Sequence, residues 1–181
     1  MLRGDKIGLR ARQESDARVL HAELYDDVAT RSMADWRPWR PITPGSAASP
    51  YAVSEPTDDA TCFSVVELAN DELAGEALLW NIDYHNRAAH IGMSLRPAFR
   101  ERGLGTDVVR VLCYYGFRVR GFHRLQIETL ARNTPMIQAA VRVGFVEEGV
   151  LRDSAWVDGS FADEMILGLL APDWHGRWFA P

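Results

Sequence analysis

The sequence has few cysteines, no long apolar run and no excess of positive charge, and each absence excludes a class of protein. Only two cysteines occur among 181 residues, and Cys62 and Cys113 form neither a disulfide framework nor a metal-ligand spacing. No stretch reaches the roughly 20 apolar residues of a membrane-spanning helix, and no signal-peptide pattern opens the chain. The net charge of −5 argues against general nucleic-acid binding. These absences favour a cytoplasmic protein without a metal, a membrane or a nucleic-acid partner.

Length and patterning predict one domain over residues 1–181 with a mixed α/β sheet. A hydrophobic content of 47% and a charged content of 25% are ordinary for a globular chain that buries a core. A first strand is followed by helices, and then by a three-strand meander. A helix, a strand, a second helix and two further strands complete the order, which places helices on both faces of a mostly antiparallel sheet. Alternation predicts strands over residues 6–12, 61–68, 73–82, 88–95, 124–130, 145–151 and 162–170, and apolar spacing predicts helices after Ser15 or Asp16, over 104–119 and over 133–143.

Residues 35–56 break this pattern because their prolines forbid a continuous helix or a central strand. The segment is too long for an ordinary connection, so we expect a substrate-side loop or lid. Trp36, Arg37, Trp39 and Arg40 are its candidate binding residues. The alternative is that the tryptophans pack this loop against the body of the protein or against a partner subunit.

A short glycine-containing stretch lies between the strand that ends at Leu95 and the helix that follows it. Gly103 and Gly105 are two residues apart and are flanked by Arg100 and Arg102. Unpaired N–H groups at a helix start favour an anion, and glycine lets the anion approach the backbone closely. The stretch therefore predicts a phosphate site, with a plain loop bearing a basic rim as the alternative.

Three motifs in order make the chain resemble the GNAT superfamily of acyl-CoA-dependent N-acyltransferases. Arg100-x-x-Gly103-x-Gly105 matches the pyrophosphate loop of that family, and Asn133 followed by Gly144-Phe145 matches its next helix and strand. Residues 144–152, Asp158-Gly159 and 169–174 look like the RimJ/RimL branch, whose members acetylate the N-terminal amines of ribosomal proteins. The resemblance covers nearly the whole chain and is weakest over residues 35–56.

The resemblance implies a fold in which a central parallel strand pair splays apart and admits acetyl-CoA, or another acyl-CoA, as co-substrate. Backbone groups at the strand end would pair with the pantetheine arm and polarise the thioester carbonyl. The residues implied to bind the cofactor are Met93, Ser94, Leu95, Arg100, Arg102, Gly103, Leu104, Gly105, Thr106 and Asn133.

Acyl transfer to an amine requires a group that takes the proton of the ammonium, and His90 is the candidate catalytic residue. It occupies the strand position where many relatives carry a glutamate, and an imidazole titrates near neutral pH. The alternative is a structural histidine on a sheet face. The carboxylates Glu76, Asp83 and Glu128 are less favoured as bases.

The group that protonates the leaving thiolate is missing from the motif. Ala140 stands where many relatives have a tyrosine, and Met136 stands where RimL-like members often have a serine. Water, Tyr51 or Ser154 could supply the proton. A rival function is an acyl-CoA-binding regulatory or interaction module with a degenerate catalytic site.

The acceptor is a protein N-terminus or a small amine, and the sequence leaves the choice open. Arg37 and Arg40 favour an acidic or carboxylate-bearing acceptor, because like charges repel. The preferred acyl chain is also open. The resemblance and the apolar C-terminal strand suggest a homodimer.

Overall fold

The protein is described by a computed structural model over residues 1–34, 37–53 and 57–175. The helices Glu14–Leu20 and Leu104–Tyr114 each continue into one wider, π-helical turn, at His21–Tyr25 and Tyr115–Val119. Within the described ranges, no helix combines the length and apolarity needed to cross a membrane. The strands are β1 (Leu2–Arg3), β2 (Ile7–Arg10), β3 (Thr61–Glu67), β4 (Glu72–Asp83), β5 (Ala88–Leu95), β6 (Arg124–Leu130), β7 (Val146–Val157) and β8 (Ser160–Leu170), and the helices are α1 (Glu14–Leu20), α2 (Val28–Ala34), α3 (Leu104–Tyr114) and α4 (Thr134–Val143).

The strands form one sheet in the order β1-β2-β3-β4-β5-β6-β8-β7. The neighbours are antiparallel except for β5 and β6, which run parallel because α3 carries the chain back between them. The predicted mixed, mostly antiparallel sheet with a central parallel pair is confirmed.

Helices cover both faces of this sheet, as predicted. The face with α3 and α4 holds the main core, which includes Ile91 of β5, Val108 of α3 and Ile127 of β6. The other face receives α1, where the Asp16 carboxylate accepts a hydrogen bond of 2.8 Å from Ser64 of β3. Alternation along β5 therefore places Ala89, Ile91 and Met93 on the α3 side and His90 on the α1 side.

The start of α1 and the end of β7 differ from the sequence prediction for local reasons. Helix α1 begins at Glu14, and Gln13 is its N-cap, because the Asp16 carboxylate reaches back to the Gln13 N–H at 2.9 Å. Strand β7 continues past the predicted end at Leu151 as far as Val157, with irregular register against β8. Bulges of this kind accommodate extra residues without ending the strand.

The predicted substrate-side loop contacts the end of the first helical segment. Trp36 lies outside the described residues. The Trp39 ring lies 6.3 Å from the Tyr25 ring, and the Tyr25 hydroxyl donates a 2.9 Å hydrogen bond to the Arg40 carbonyl. The described part of the loop is thus fastened to the body of the protein, and its role in binding an acceptor stays a prediction.

Candidate functional site

The parallel strands β5 and β6 pair over only three positions, from Ala88 opposite Arg124 to His90 opposite Gln126. Beyond that point β5 stays paired with β4 as far as Leu95, while the described pairing with β6 has ended. We call the opening between the two strands the strand gap. Helices α3 and α4 begin beyond the carboxyl ends of β5 and β6, where ligands of α/β sheets commonly bind.

The stretch that contains Gly103 and Gly105, residues 100–106, is called the glycine loop, and it has the backbone conformation of an anion site. Glu101 and Gly103 both have positive φ values, 58° and 76°, and Gly103 caps the eleven-residue helix α3. Alternating left-handed residues turn successive N–H groups towards one side, and the first helical turn adds N–H groups without intrahelical partners. A Cβ on Gly105 would lie 3.0 Å from Met93 Cε, so this glycine lets the helix start pack closely on β5.

The two arginines beside the glycines face different ways. Arg100 Nε donates to the Leu95 carbonyl at 3.0 Å, which holds this side chain at the end of β5. Arg102 instead pairs with the buried Glu67 carboxylate at 2.7 Å and lies over the Phe99 ring. The structure therefore holds the Arg100 side chain at the end of β5, whereas the Arg102 side chain turns towards Glu67 at the end of β3.

Sequence reasoning missed Asp107, a buried carboxylate in the first turn of α3. It accepts hydrogen bonds from the Lys6 and Ile7 N–H groups at 2.8 and 3.1 Å and pairs with Arg110 at 3.1 Å. Lys6 Nζ also donates to the Arg102 carbonyl at 3.1 Å. These contacts tie the glycine loop to β2. An aspartate between the apolar residues Leu104 and Val108 was the signal that could have identified it.

Asn133 follows the carboxyl end of β6 and caps α4. Its Oδ1 accepts from the Met136 N–H at 3.4 Å, and its Nδ2 donates to Thr129 Oγ1 at 2.8 Å. The amide thus fixes the start of α4 against the end of β6. Met136 and Ala140, at the two positions where the usual acid is missing, are buried in the main core.

His90 lies on the other face of the sheet, in a pocket of about 340 Å³. Tyr51 is buried beside Leu20 and Leu24, away from this pocket, whereas Ser154 is in its wall. The loop residues Arg37, Trp39 and Arg40 are not among the described wall residues. The wall is formed by Trp80, Asn81, His90, Glu128, Ser154 and Glu164.

Burial lowers the pKa of His90 below its ordinary value; Glu128 opposes this shift and Arg124 adds to it. The imidazole is therefore neutral at pH 7 and able to accept a proton. Asn81 Nδ2 lies 3.3 Å from His90 Nε2. Because an amide NH₂ only donates, Nε2 accepts and the ring proton lies on Nδ1.

Among the described residues, no cluster of His, Cys, Asp or Glu is arranged to hold a metal ion.

The parallel strand pair thus opens beside the start of α3, and the His90 imidazole lies on the opposite face of the sheet. The family described as acetyltransferase (GNAT) domain matches residues 6–146. The chain belongs to this family.

Curated relatives resemble this chain in sequence, and a solved structure resembles it in fold. The Bacillus subtilis (strain 168) protein YdaF, provisionally named a ribosomal N-acetyltransferase, is 33% identical over 61% of this chain; the chain thus spans only 60% of that relative's length. The ribosomal protein uS5 alanine N-acetyltransferase of Escherichia coli (strain K12) is 24% identical over 76% of each chain. The crystal structure of spermidine N-acetyltransferase from Vibrio cholerae, in complex with CoA and spermine, superposes with a TM-score of 0.76 at 19% identity, covering 92% of this chain and 96% of that one.

Proposed function

We propose that this protein is an acyl-CoA-dependent N-acyltransferase that moves an acetyl or larger acyl group from CoA to a primary amine. One observation carries the proposal: β5 and β6 stop pairing at His90 and Gln126. The strand gap therefore opens between an anion-binding helix start and a neutral imidazole. Membership of the GNAT family supports the same conclusion.

The residues around the strand gap suit acyl-CoA. The N–H groups of residues 102–106, reinforced by the Arg100 side chain, would hold the pyrophosphate. The backbone of Met93, Ser94 and Leu95 would pair with the pantetheine arm, and Asn133, after the end of β6, would contact the cofactor from the other side. When bound, acyl-CoA supplies an activated thioester; the protein positions it and manages the proton of the amine.

His90 is the residue that we propose takes this proton. A primary amine arrives mainly as an ammonium, which has no lone pair for attack until it loses a proton. Proton transfer to His90 Nε2 frees the lone pair at the mouth of the pocket. A neutral imidazole suits this role because general bases work best when their pKa lies near the operating pH.

The charge of the pocket bears on the acceptor. Glu128 and Glu164 line it together with His90, and carboxylates attract an ammonium group. Relatives are named for acting on a protein N-terminal alanine and on spermidine. We therefore propose a cationic amine or an N-terminal peptide as acceptor. The carboxylate-bearing acceptor predicted from Arg37 and Arg40 is the competing hypothesis.

A homodimer in the cytoplasm remains part of the proposal. Large apolar side chains are exposed on the last two strands, which supports a second copy as partner. They are Val146, Val150, Leu151, Trp156 and Phe161.

The proposal is tested by thiol release from acetyl-CoA with a panel of acceptors: spermidine, a peptide with a free N-terminal alanine, and an acidic amine such as glutamate. We expect release with at least one acceptor, and His90→Gln should lower the rate at neutral pH by at least about tenfold, the lower side of general-base effects. The rate of the wild type should also fall as the pH drops through the lowered pKa of His90.

His85→Gln is the matched control, because it removes an exposed histidine from the turn between β4 and β5. Its rate should equal that of the wild type. Tight CoA binding without release for any acceptor would instead support the acyl-CoA-binding module. An unchanged rate in a folded His90→Gln protein would remove His90 from the mechanism.

A further inference from the structure

Three polar side chains follow one another along the His90 face of β6. Arg124, Gln126 and Glu128 are spaced by two residues, so they project from the same face. Arg124 donates to Gln126 Oε1 at 2.8 Å, and Gln126 Nε2 donates to Glu128 Oε1 at 2.7 Å. We call these three residues the β6 row. Because each member contacts the next, the row fixes the Glu128 carboxylate at its end.

The first member of the row is anchored from β7. Arg124 donates to Glu148 Oε1 at 2.9 Å, and this pairing lowers the pKa of Glu148. The carboxylate lies over Gly168 of β8, where a Cβ would come within 2.3 Å of Glu148 Oε1. The absence of a side chain at Gly168 therefore makes room for the anchor.

The last member of the row faces His90 across the parallel strand pair. Glu128 Oε1 lies 3.8 Å from His90 Nδ1, too far for a hydrogen bond but close enough for charge attraction. Nδ1 is buried and has no hydrogen-bond partner among the described residues. The Trp80 ring, 4.6 Å away and edge-on, limits rotation of the imidazole. The ring is thus held with Nδ1 towards Glu128 and Nε2 towards Asn81.

We propose that Glu128 is the positioning carboxylate of His90, and that the β6 row and Glu148 hold it in place. The inference rests on the proposed function. Glu128 keeps the ring proton on Nδ1, so the Nε2 lone pair points towards Asn81 in the pocket wall, where an acceptor ammonium would replace the amide as donor. The N–H of the Asn81 amide marks the direction from which an ammonium N–H would approach.

The proton balance of this step is simple. One proton leaves the ammonium nitrogen and binds Nε2, which turns His90 into an imidazolium and the acceptor into a neutral amine. The positive charge then lies beside the Glu128 carboxylate. A carboxylate at that distance favours the imidazolium and so raises the affinity of His90 for the proton.

The other charged groups around His90 are few among the described residues. Arg124, from the same row, opposes the imidazolium, but its guanidinium is paired with Glu148. Glu164 of β8 contributes a second carboxylate to the pocket wall. Glu128 lies 3.8 Å from the ring, so its removal should dominate any change in the titration of His90.

The direct test is an NMR titration of the histidine imidazoles in the whole protein, with His90→Gln used to assign the His90 signal. In Glu128→Gln the midpoint of His90 protonation should fall by roughly one pH unit, the lower end for an opposite charge at this distance. Glu147→Gln is the matched control, because it makes the same change on β7, beside Glu148 but outside the β6 row. In this variant the midpoint of His90 protonation should not move. Gln126→Leu, which frees Glu128, should shift the midpoint in the same direction by a smaller amount.

Turnover provides a second measurement. In Glu128→Gln the acidic limb of kcat/KM should move to lower pH together with the NMR midpoint, and the plateau should fall about threefold to tenfold because the base is weaker. A purely structural role would lower the plateau without moving the limb. An unchanged His90 midpoint in folded Glu128→Gln overturns the inference. The NMR titration does not depend on turnover. If the wild type released no thiol, the proposed function would be rejected, but the midpoint of His90 protonation would still show whether Glu128 interacts with His90.

Discussion

Replacing Asp107 with alanine removes the acceptor that ties the glycine loop to β2. Two backbone N–H groups, those of Lys6 and Ile7, donate to its Oδ2 at 2.8 and 3.1 Å, and the residue is only 3% exposed. In the Asp107→Ala protein the Ile7 N–H would be left buried without this partner. We therefore expect a clear loss of folding stability.

The size of the loss follows from these contacts. A hydrogen bond to a charged group contributes about 1.5–3 kcal/mol, and an acidic residue in the first turn of a helix adds about 0.3–1 kcal/mol. Water can reach the Lys6 N–H in the variant, and the Arg110 pair is partly exposed and contributes little. We expect the free energy of unfolding to fall by about 3 kcal/mol. For a chain of this length, that lowers Tm by about 6–12 °C.

Urea unfolding of the wild type, Asp107→Ala and Asp107→Asn measures this effect, with Asp5→Ala as the matched control. Asp5 pairs with the same Arg110, but its side chain is 73% exposed, so its loss should stay within about 0.5 kcal/mol. Asparagine keeps an acceptor oxygen without the charge and should give an intermediate loss. A loss below about 1 kcal/mol for Asp107→Ala, or an equal loss for Asp5→Ala, would refute the reasoning.

Two further predictions concern the glycine loop and the α1 face. Gly103→Ala places a side chain at a φ of 76°, so it should cost about 1–2 kcal/mol of stability and weaken CoA binding measured by calorimetry. The control Gly159→Ala, at a φ of 79° in open space, should cost the same stability and leave CoA binding unchanged. Equal losses of CoA affinity in the two variants would contradict the role of the glycine loop. Burial alone would raise the pKa of Asp16, but hydrogen bonds from Arg10, the Gln13 N–H and Ser64 lower it overall. When folding lowers the pKa of a carboxyl group, the group stabilises the folded protein at any pH above its unfolded pKa near 4. This contribution is lost as the pH falls through the lower pKa of the folded state. Urea unfolding at pH 6 and pH 3 should therefore show a smaller pH-dependent loss for Asp16→Asn than for the wild type, and equal losses would contradict this.

The sheet could be predicted from the sequence because period-two alternation and turn residues mark each strand. Strand β5 occurs with the predicted limits. The start of α1 was misplaced because the capping carboxylate lies inside the helix, at Asp16. The length of β7 was misjudged because bulges interrupt the alternation on which the prediction depended.

The candidate site could be predicted only as far as contiguous motifs reach. Glycine spacing identifies the candidate anion loop, but the pairing of Arg102 with Glu67 joins residues 35 positions apart and leaves no local pattern. The β6 row was overlooked for a related reason. Its spacing of two is visible in the sequence, yet its meaning depends on the parallel partner that brings His90 beside Glu128.

The short parallel pairing links the two halves of the proposed mechanism. His90 and Gln126 are its last partners, so the strand gap begins where the imidazole meets the row that orients Glu128. Alternation then sends Met93, three residues on, to the opposite face, where it packs beside Gly105. A single strand therefore sets the distance between the co-substrate loop and the proton acceptor. A change that extends the pairing of β5 with β6 would close the gap and separate these two functions, even with every proposed site residue retained.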